Sequence, residues 1–249
     1  MTRDALDWLK QPIAHRGLHD AAHGIVENSA SAVEAAIAKG YAVEVDLQCA
    51  AEGAPIVFHD RTLDRLTAET GAVTACDAAA LCRIPLRNSS DCILSLEGLL
   101  GLVDGRVPLL IEVKSTWSGN HAYEQNIADA LGAYKGQVAV MSFDPECVAA
   151  FRRAAPSLPH GLISERFEDK HYWPDLSAWQ RFAMRHLLTA AFARPHFIAY
   201  DIRALPGLAP GIARDVFRLP LLTWTVRSEA DRANAKLFAD AMIFEGIDP

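Results

Sequence analysis

Eight short β-rich runs alternate along this chain with seven stretches of helical character, and that alternation restricts the fold more than any other feature. The strand candidates are residues 12–16, 42–47, 108–114, 137–142, 159–164, 197–200, 221–226 and 240–244. The helix candidates are 30–39, 96–103, 121–134, 145–154, 176–191, 208–215 and 229–237. Start signals support several of these helices. Ser95 precedes Leu96 and Glu97, and Asp144 precedes Pro145, whose fixed φ suits a first helical turn. Strands joined through helices run parallel, and eight such units in 249 residues predict one α/β domain, residues 1–249, closed as a (β/α)8 TIM barrel. An open doubly wound sheet is the competing arrangement, but no GxGxxG turn follows the first run.

One segment interrupts the pattern. Residues 49–60, CAAEGAPIVFHD, follow the second run too closely for a crossover helix. Glu52-Gly53 reads as a hairpin tip that returns 56–59 antiparallel beside 44–46; the other reading makes 56–59 a strand of the barrel wall. Residues 61–94, rich in Thr, Ala, Asp and Ser, read as an insertion after the His59-Asp60 pair. No helical pattern follows the last run, so the amphipathic segment 3–10 is expected to cover that end of the barrel.

Charge and cysteine usage narrow the function. A net charge of -7 argues against generic binding to nucleic acid or to anionic membrane. An anionic small molecule would then need local positive charge, from a metal or from arginine. No apolar stretch approaches the roughly 18 residues of a membrane helix, so stable insertion is not expected. The first residues are charged throughout and lack a signal-peptide core. Five cysteines without a CxxC pair point to reduced thiols in a cytoplasmic protein and against a zinc site. Self-association into a homo-oligomer is open.

Acidic residues inside strands are the first chemical anomaly. In YAVEVDLQ, Glu44 and Asp46 share one face of a strand while Val43, Val45 and Leu47 share the other. The pattern recurs in LLIEVKS, where Glu112 and Lys114 share a face. The outward face of a barrel strand packs under helices, so these polar groups project inward near the mouth. Three inward carboxylates repel one another unless a cation lies among them, and oxygen donors suit Mg2+ or Ca2+. A structural ion-pair network through Lys114 is the competing explanation. Histidines are the second anomaly. His15 ends the first run and His59 ends IVFHD, and imidazoles can exchange protons near neutral pH. Arg16 adds a planar fork of donors suited to phosphate.

HRG at 15–17, EN at 27–28, EVD at 44–46, HD at 59–60, LDRLT with TG from 63 to 71, LE at 96–97 and IEVK at 111–114 together resemble the glycerophosphodiester phosphodiesterase family. SF at 142–143 and TWTV at 223–226 are weaker continuations. The resemblance implies a TIM barrel with an insertion after HD and one divalent metal, Mg2+ or Ca2+ with Mn2+ also accepted, held by Glu44, Asp46 and Glu112. It further implies His15 and His59 as an acid–base pair that hydrolyses a small glycerophosphodiester to glycerol 3-phosphate and an alcohol. Arg16 and Lys114 are assigned to the phosphate, and Trp224 to the alcohol pocket or to the core. The chain departs from the family pattern at Val26 and Ser29 around EN, at residues 49–53, and at Phe244-Glu245, where threonine–aspartate is usual; the last bears on alcohol preference. Three rivals stay open. One is a related barrel phospholipase, sphingomyelinase D-like or phospholipase C-like, that forms a cyclic phosphate. The others are a lyase using Lys114 as a Schiff-base amine and a non-catalytic metal- or phosphate-binding barrel.

Overall fold

The computed structural model describes residues 3–169 and 172–249. One sheet contains β1 (Ile13–Ala14), β2 (Ala42–Cys49), β3 (Pro55–Val57), β4 (Leu94–Ser95), β5 (Leu109–Val113), β6 (Val138–Ser142), β7 (His160–Ser164), β8 (Phe197–Asp201), β9 (Leu221–Val226) and β10 (Ala241–Phe244). Eight of these strands, β1, β2 and β5 to β10, are parallel and form a closed wall. The two-residue β1 closes it, pairing Ile13 with Ile243 of β10 on one side and with Ala42 of β2 on the other. Around the wall stand α1 (Ala30–Lys39), α2 (Ala78–Leu81), α3 (Leu96–Val103), α4 (Ala122–Ala133), α5 (Pro145–Ala154), α6 (Ala178–Arg185), α7 (Ala190–Ala193), α8 (Leu208–Asp215) and α9 (Glu229–Phe238). The fold is the (β/α)8 barrel expected, and each expected strand run supplies one wall strand.

Two details differ from expectation. β3 is a hairpin arm rather than a wall strand, and it lies beside the end of β2 (Leu47 opposite Val57, Cys49 opposite Pro55) instead of beside 44–46. β4 then pairs antiparallel with β3 outside the barrel. The helix expected over 176–191 is two helices, α6 and α7, separated where Leu187 takes a positive φ of 55°. A left-handed residue ends a helix whatever the propensity of its neighbours. Residues between β3 and β4 carry α2 and isolated bridges, and they bury Phe58, Leu63, Val73, Leu81 and Leu86 in a cluster of their own.

Period-two alternation sorts each wall strand between two cores. Val43, Val45, Leu47, Leu109, Ile111 and Val113 pack outward beneath the helices. Ala42, Leu110, Ala139, Phe197, Leu222 and Ile243 fill the barrel interior. Leu6 and Leu9, from the 3-10 helix Arg3–Lys10, join that interior cluster and cover the N-terminal end of the barrel. Each fully buried leucine contributes roughly 1.5–3 kcal/mol, a reserve against which charged groups can be held inside. On β2 and β5 the inward positions change from Ala42 and Leu110 to Glu44, Asp46 and Glu112 toward the C-terminal ends, the end of such barrels where active sites lie. Among the described residues no helix is long and apolar enough to cross a membrane.

Candidate active site

Glu44 and Asp46 on β2 and Glu112 on the adjacent β5 bring ligand atoms within 4.8 Å of one another. The register that pairs Asp46 with Glu112 sets this convergence. Glu44 and Asp46 are each 1% exposed, and Glu44 Oε1 is buried without a hydrogen-bond partner. An unpartnered carboxylate oxygen costs free energy unless a cation or donor meets it. The three groups therefore fit a hard divalent cation with oxygen ligands. Burial, reinforced by Asp46 and Glu112, pushes the Glu44 carboxyl well above the usual range. Burial acts the same way on Asp46, but Lys114, His59 and Arg16 outweigh it and hold that carboxyl below its ordinary value.

Lys114 stands inside this cluster. Its amine lies 2.8 Å from Asp46 Oδ1 and donates to Glu112 Oε1. Burial would lower the lysine's proton affinity, but Asp46 and Glu112 reverse the effect and raise it. A Schiff-base amine needs the opposite shift, so the lyase reading loses its nucleophile.

The turn after β1 places His15 and Arg16. Arg16 adopts a φ of 56° and Gly17 one of 76°. Arg16 N–H donates to Glu44 Oε2 at 2.9 Å, and Gly17 N–H donates to the Glu44 carbonyl at 3.0 Å. The Arg16 guanidinium donates to Glu27 Oε1 at 2.7 Å and lies 3.2 Å from Asp46. Asn28, also at positive φ, donates to Asp46 Oδ2 at 2.9 Å and accepts from the Asp46 N–H at 3.1 Å. Glu27-Asn28 thus braces both the arginine and the central carboxylate. A Cβ on Gly17 would lie 2.7 Å from the Ala32 carbonyl carbon, so only glycine fits where the turn crosses α1.

Each histidine is held through Nδ1 by a carboxylate. His15 Nδ1 meets Glu245 Oε2 at 2.8 Å, and Arg227 donates to the same oxygen at 2.8 Å. His59 Nδ1 meets Asp60 Oδ1 at 2.7 Å, and Arg65 bridges Asp60 to Glu27. Burial lowers the proton affinity of His15, and Glu245 only partly restores it. The hydrogen bond from His15 holds the Glu245 carboxyl well below its usual range.

Two cavities of about 300 Å³ and 330 Å³ open over this constellation, and both are lined by His59, Glu112, Lys114, Phe143 and Tyr172. The second also includes His15, Arg16, Glu44 and Trp224. All residues singled out in the sequence for metal, phosphate, proton transfer or the alcohol pocket are therefore brought together, with Asp46 directly beneath. Lys114 and Arg16 are already engaged by carboxylates. Sequence reasoning gives no role to Asp60, Asn28 or Arg65, and connects Glu245 with alcohol preference rather than with His15. Glu245 carried a usable signal, an acid directly after the apolar strand AMIF; the positive φ of Asn28 carried none.

Residues 15–248 match the Glycerophosphoryl diester phosphodiesterase family. Glycerophosphodiester phosphodiesterase 1 of Bos taurus is 44% identical over 66 residues, which are 26% of this chain and 18% of that protein. A probable glycerophosphodiester phosphodiesterase 1 of Mycobacterium tuberculosis is 27% identical over 177 residues, 61% of this chain and 64% of the relative. The matched chain thus spans less than two thirds of either relative. Among solved structures, an Oleispira antarctica phosphodiesterase in complex with the product sn-glycerol-3-phosphate superimposes with a TM-score of 0.77 at 18% identity, covering 96% of this chain and 94% of that one. A glycerophosphodiester phosphodiesterase from Parabacteroides distasonis gives 0.74 at 19% identity, covering 94% and 92%. At these identities the structural likeness speaks for the barrel alone, whereas the match over residues 15–248 spans nearly the whole chain: it belongs to the glycerophosphoryl diester phosphodiesterase family.

Proposed function

We propose that the chain hydrolyses a small glycerophosphodiester to glycerol 3-phosphate and an alcohol, with His15 and His59 dividing the proton transfers. The observation that carries this reading is a pair of histidines, each fixed by its own carboxylate, lining one mouth with three converged acids. Glu44, Asp46 and Glu112 would hold one divalent ion, Mg2+ or Ca2+, which when bound polarises phosphoryl oxygens and offsets their charge. Arg16 and Lys114, beside the same acids, supply donors for the non-bridging oxygens.

The carboxylates on Nδ1 set the tautomers. With Nδ1–H donated to Glu245, His15 keeps Nε2 free to take a proton from the water that attacks phosphorus as the bond to the departing alkoxide breaks. Asp60 orients His59 in the same way, leaving its Nε2 to give a proton to the departing alkoxide. The two cavities that share His59 and Lys114 leave room for the two arms of a diester, with Trp224 beside one of them. Release of glycerol 3-phosphate from glycerophosphocholine and its relatives, measured by an enzyme-coupled assay, tests the proposal. Turnover should be lost in His15→Ala and in His59→Ala; a protein inert toward every glycerophosphodiester, or variants as active as the parent, would overturn it.

A further inference from the structure

Among the described residues eleven large apolar side chains are exposed, and eight of them fall between Trp179 and Phe217. Six of the eight are linked through ring contacts and one groove. Trp179 and Phe182 stack with centroids 5.5 Å apart, and Phe182 meets the His186 ring at 4.4 Å. His186, Leu188, Leu208, Ile212 and Phe217 then line one groove of about 660 Å³ between α7 and α8. Leu208 is 82% exposed and Phe217 71%. An apolar stripe this continuous is unusual on a surface that meets only water.

The segment that carries the stripe has an excess of positive charge. Residues 176–219 hold six arginines and two aspartates, without a lysine or glutamate, in a chain whose net charge is -7. Arg185, Arg203 and Arg214 pair with Glu168, Asp201 and Asp240. Arg194, which lines the groove, and Arg218, next to Phe217, form no ion pair among the described residues. The acidic balance therefore lies on the rest of the molecule.

We propose that the α6–α8 face docks on the surface of a bilayer containing anionic phospholipid. Exposed aromatic and aliphatic side chains enter the boundary beneath the headgroups, and arginines beside them meet lipid phosphates. A second copy fits poorly, because a two-fold interface would set these arginines against their own equivalents. Nucleic acid would satisfy the arginines and leave the apolar stripe in water. The stripe begins at the barrel mouth: Gln180, adjacent to Trp179, lines a cavity together with Lys114 and Trp117. Docking would lay the α6–α8 flank of the barrel against the membrane without inserting a helix. Net charge averages over an uneven surface and does not describe this face.

Flotation of the intact protein with vesicles of phosphatidylcholine and phosphatidylglycerol in equal parts, against phosphatidylcholine alone, tests this. The parent protein should float with the anionic vesicles and lose that binding in high salt. Arg194→Gln with Arg218→Gln should lower partitioning about 30-fold at low salt, taking about 1 kcal/mol for each basic residue near an anionic surface. Leu208→Ser with Phe217→Ser should also release the protein. Both double variants should keep the parental kcat/KM on a water-soluble diester, which controls for folding. Absence of flotation, equal flotation with neutral vesicles, or variants that float like the parent would overturn the proposal. So would a dimer in sedimentation that Leu208→Ser with Phe217→Ser converts to monomer.

Discussion

Glu245→Gln removes one charge and almost no volume, and its effect follows from the 2.8 Å contact with His15. When His15 accepts a proton its ring becomes cationic, and a carboxylate at that distance, with an effective dielectric of about 20, stabilises it by roughly 6 kcal/mol before screening. The Glu245 side chain is 25% exposed and Arg227 offsets part of its charge, so roughly 2–3 kcal/mol should survive, or about 30- to 150-fold in rate. The neutral ring of the resting enzyme gains much less from the carboxylate, so the loss belongs to kcat, with KM unchanged. The pH profile gives an independent sign. Glu245 raises the proton affinity of His15, so its removal lowers that affinity further. The acid limb of kcat/KM, along which His15 must lose its proton to act as base, then moves to lower pH. Steady-state kinetics on glycerophosphocholine across pH measure both quantities. A variant with parental kcat, or an acid limb moved to higher pH, would refute the assignment of Glu245 to His15.

Other perturbations separate the remaining roles. His59→Ala should recover activity on a nitrophenyl diester, whose leaving group needs no proton, while His15→Ala stays slow on both substrates; the reverse pattern would exchange acid and base. Gly17→Ala forces a side chain at φ 76° to within 2.7 Å of the α1 backbone, and urea denaturation should show a loss of about 2–4 kcal/mol. Stability should fall as pH drops below about 4, because Asp60 and Glu245 have depressed folded-state proton affinities, so the stability present above their unfolded values disappears as they protonate. Glu44, with its raised affinity, works in the opposite direction at higher pH: its penalty is relieved as pH falls toward 4.5, and Glu44→Gln should remove that gain in stability.

The wall of the barrel was readable because its cause is local. Strand residues such as Val43, Val45, Ile111 and Val113 announce their outward face by alternation, and Glu44, Asp46 and Glu112 announce the inward one. Helix starts at Ser95 and Asp144 were readable for the same reason, since each cap bonds a backbone N–H within three residues. The break between α6 and α7 was not, because it depends on one left-handed residue, Leu187, of a type that gives no warning. The hairpin register was ambiguous because 56–59 is apolar on both readings. At the site, residue types were legible and partnerships were not. Glu245 meets His15 across 230 positions of sequence, and only closure of β10 against β1 brings them together. An ion-pair network through Lys114 is the sequence's rival to a cation among the acids; the geometry places Lys114 within the acid cluster and at the cavity wall at once.

Phosphorus NMR of glycerophosphocholine turnover by metal-stripped and metal-reloaded protein tests the central claim most directly. The stripped protein should leave the diester resonance untouched. Mg2+, Ca2+ or Mn2+ should convert it to the monoester resonance of glycerol 3-phosphate, and Glu44→Ala and Asp46→Ala should require far more metal to do so while the exposed Glu69→Ala behaves as the parent. Full turnover by rigorously metal-free protein would contradict the account, as would a cyclic phosphate that accumulates as the final product.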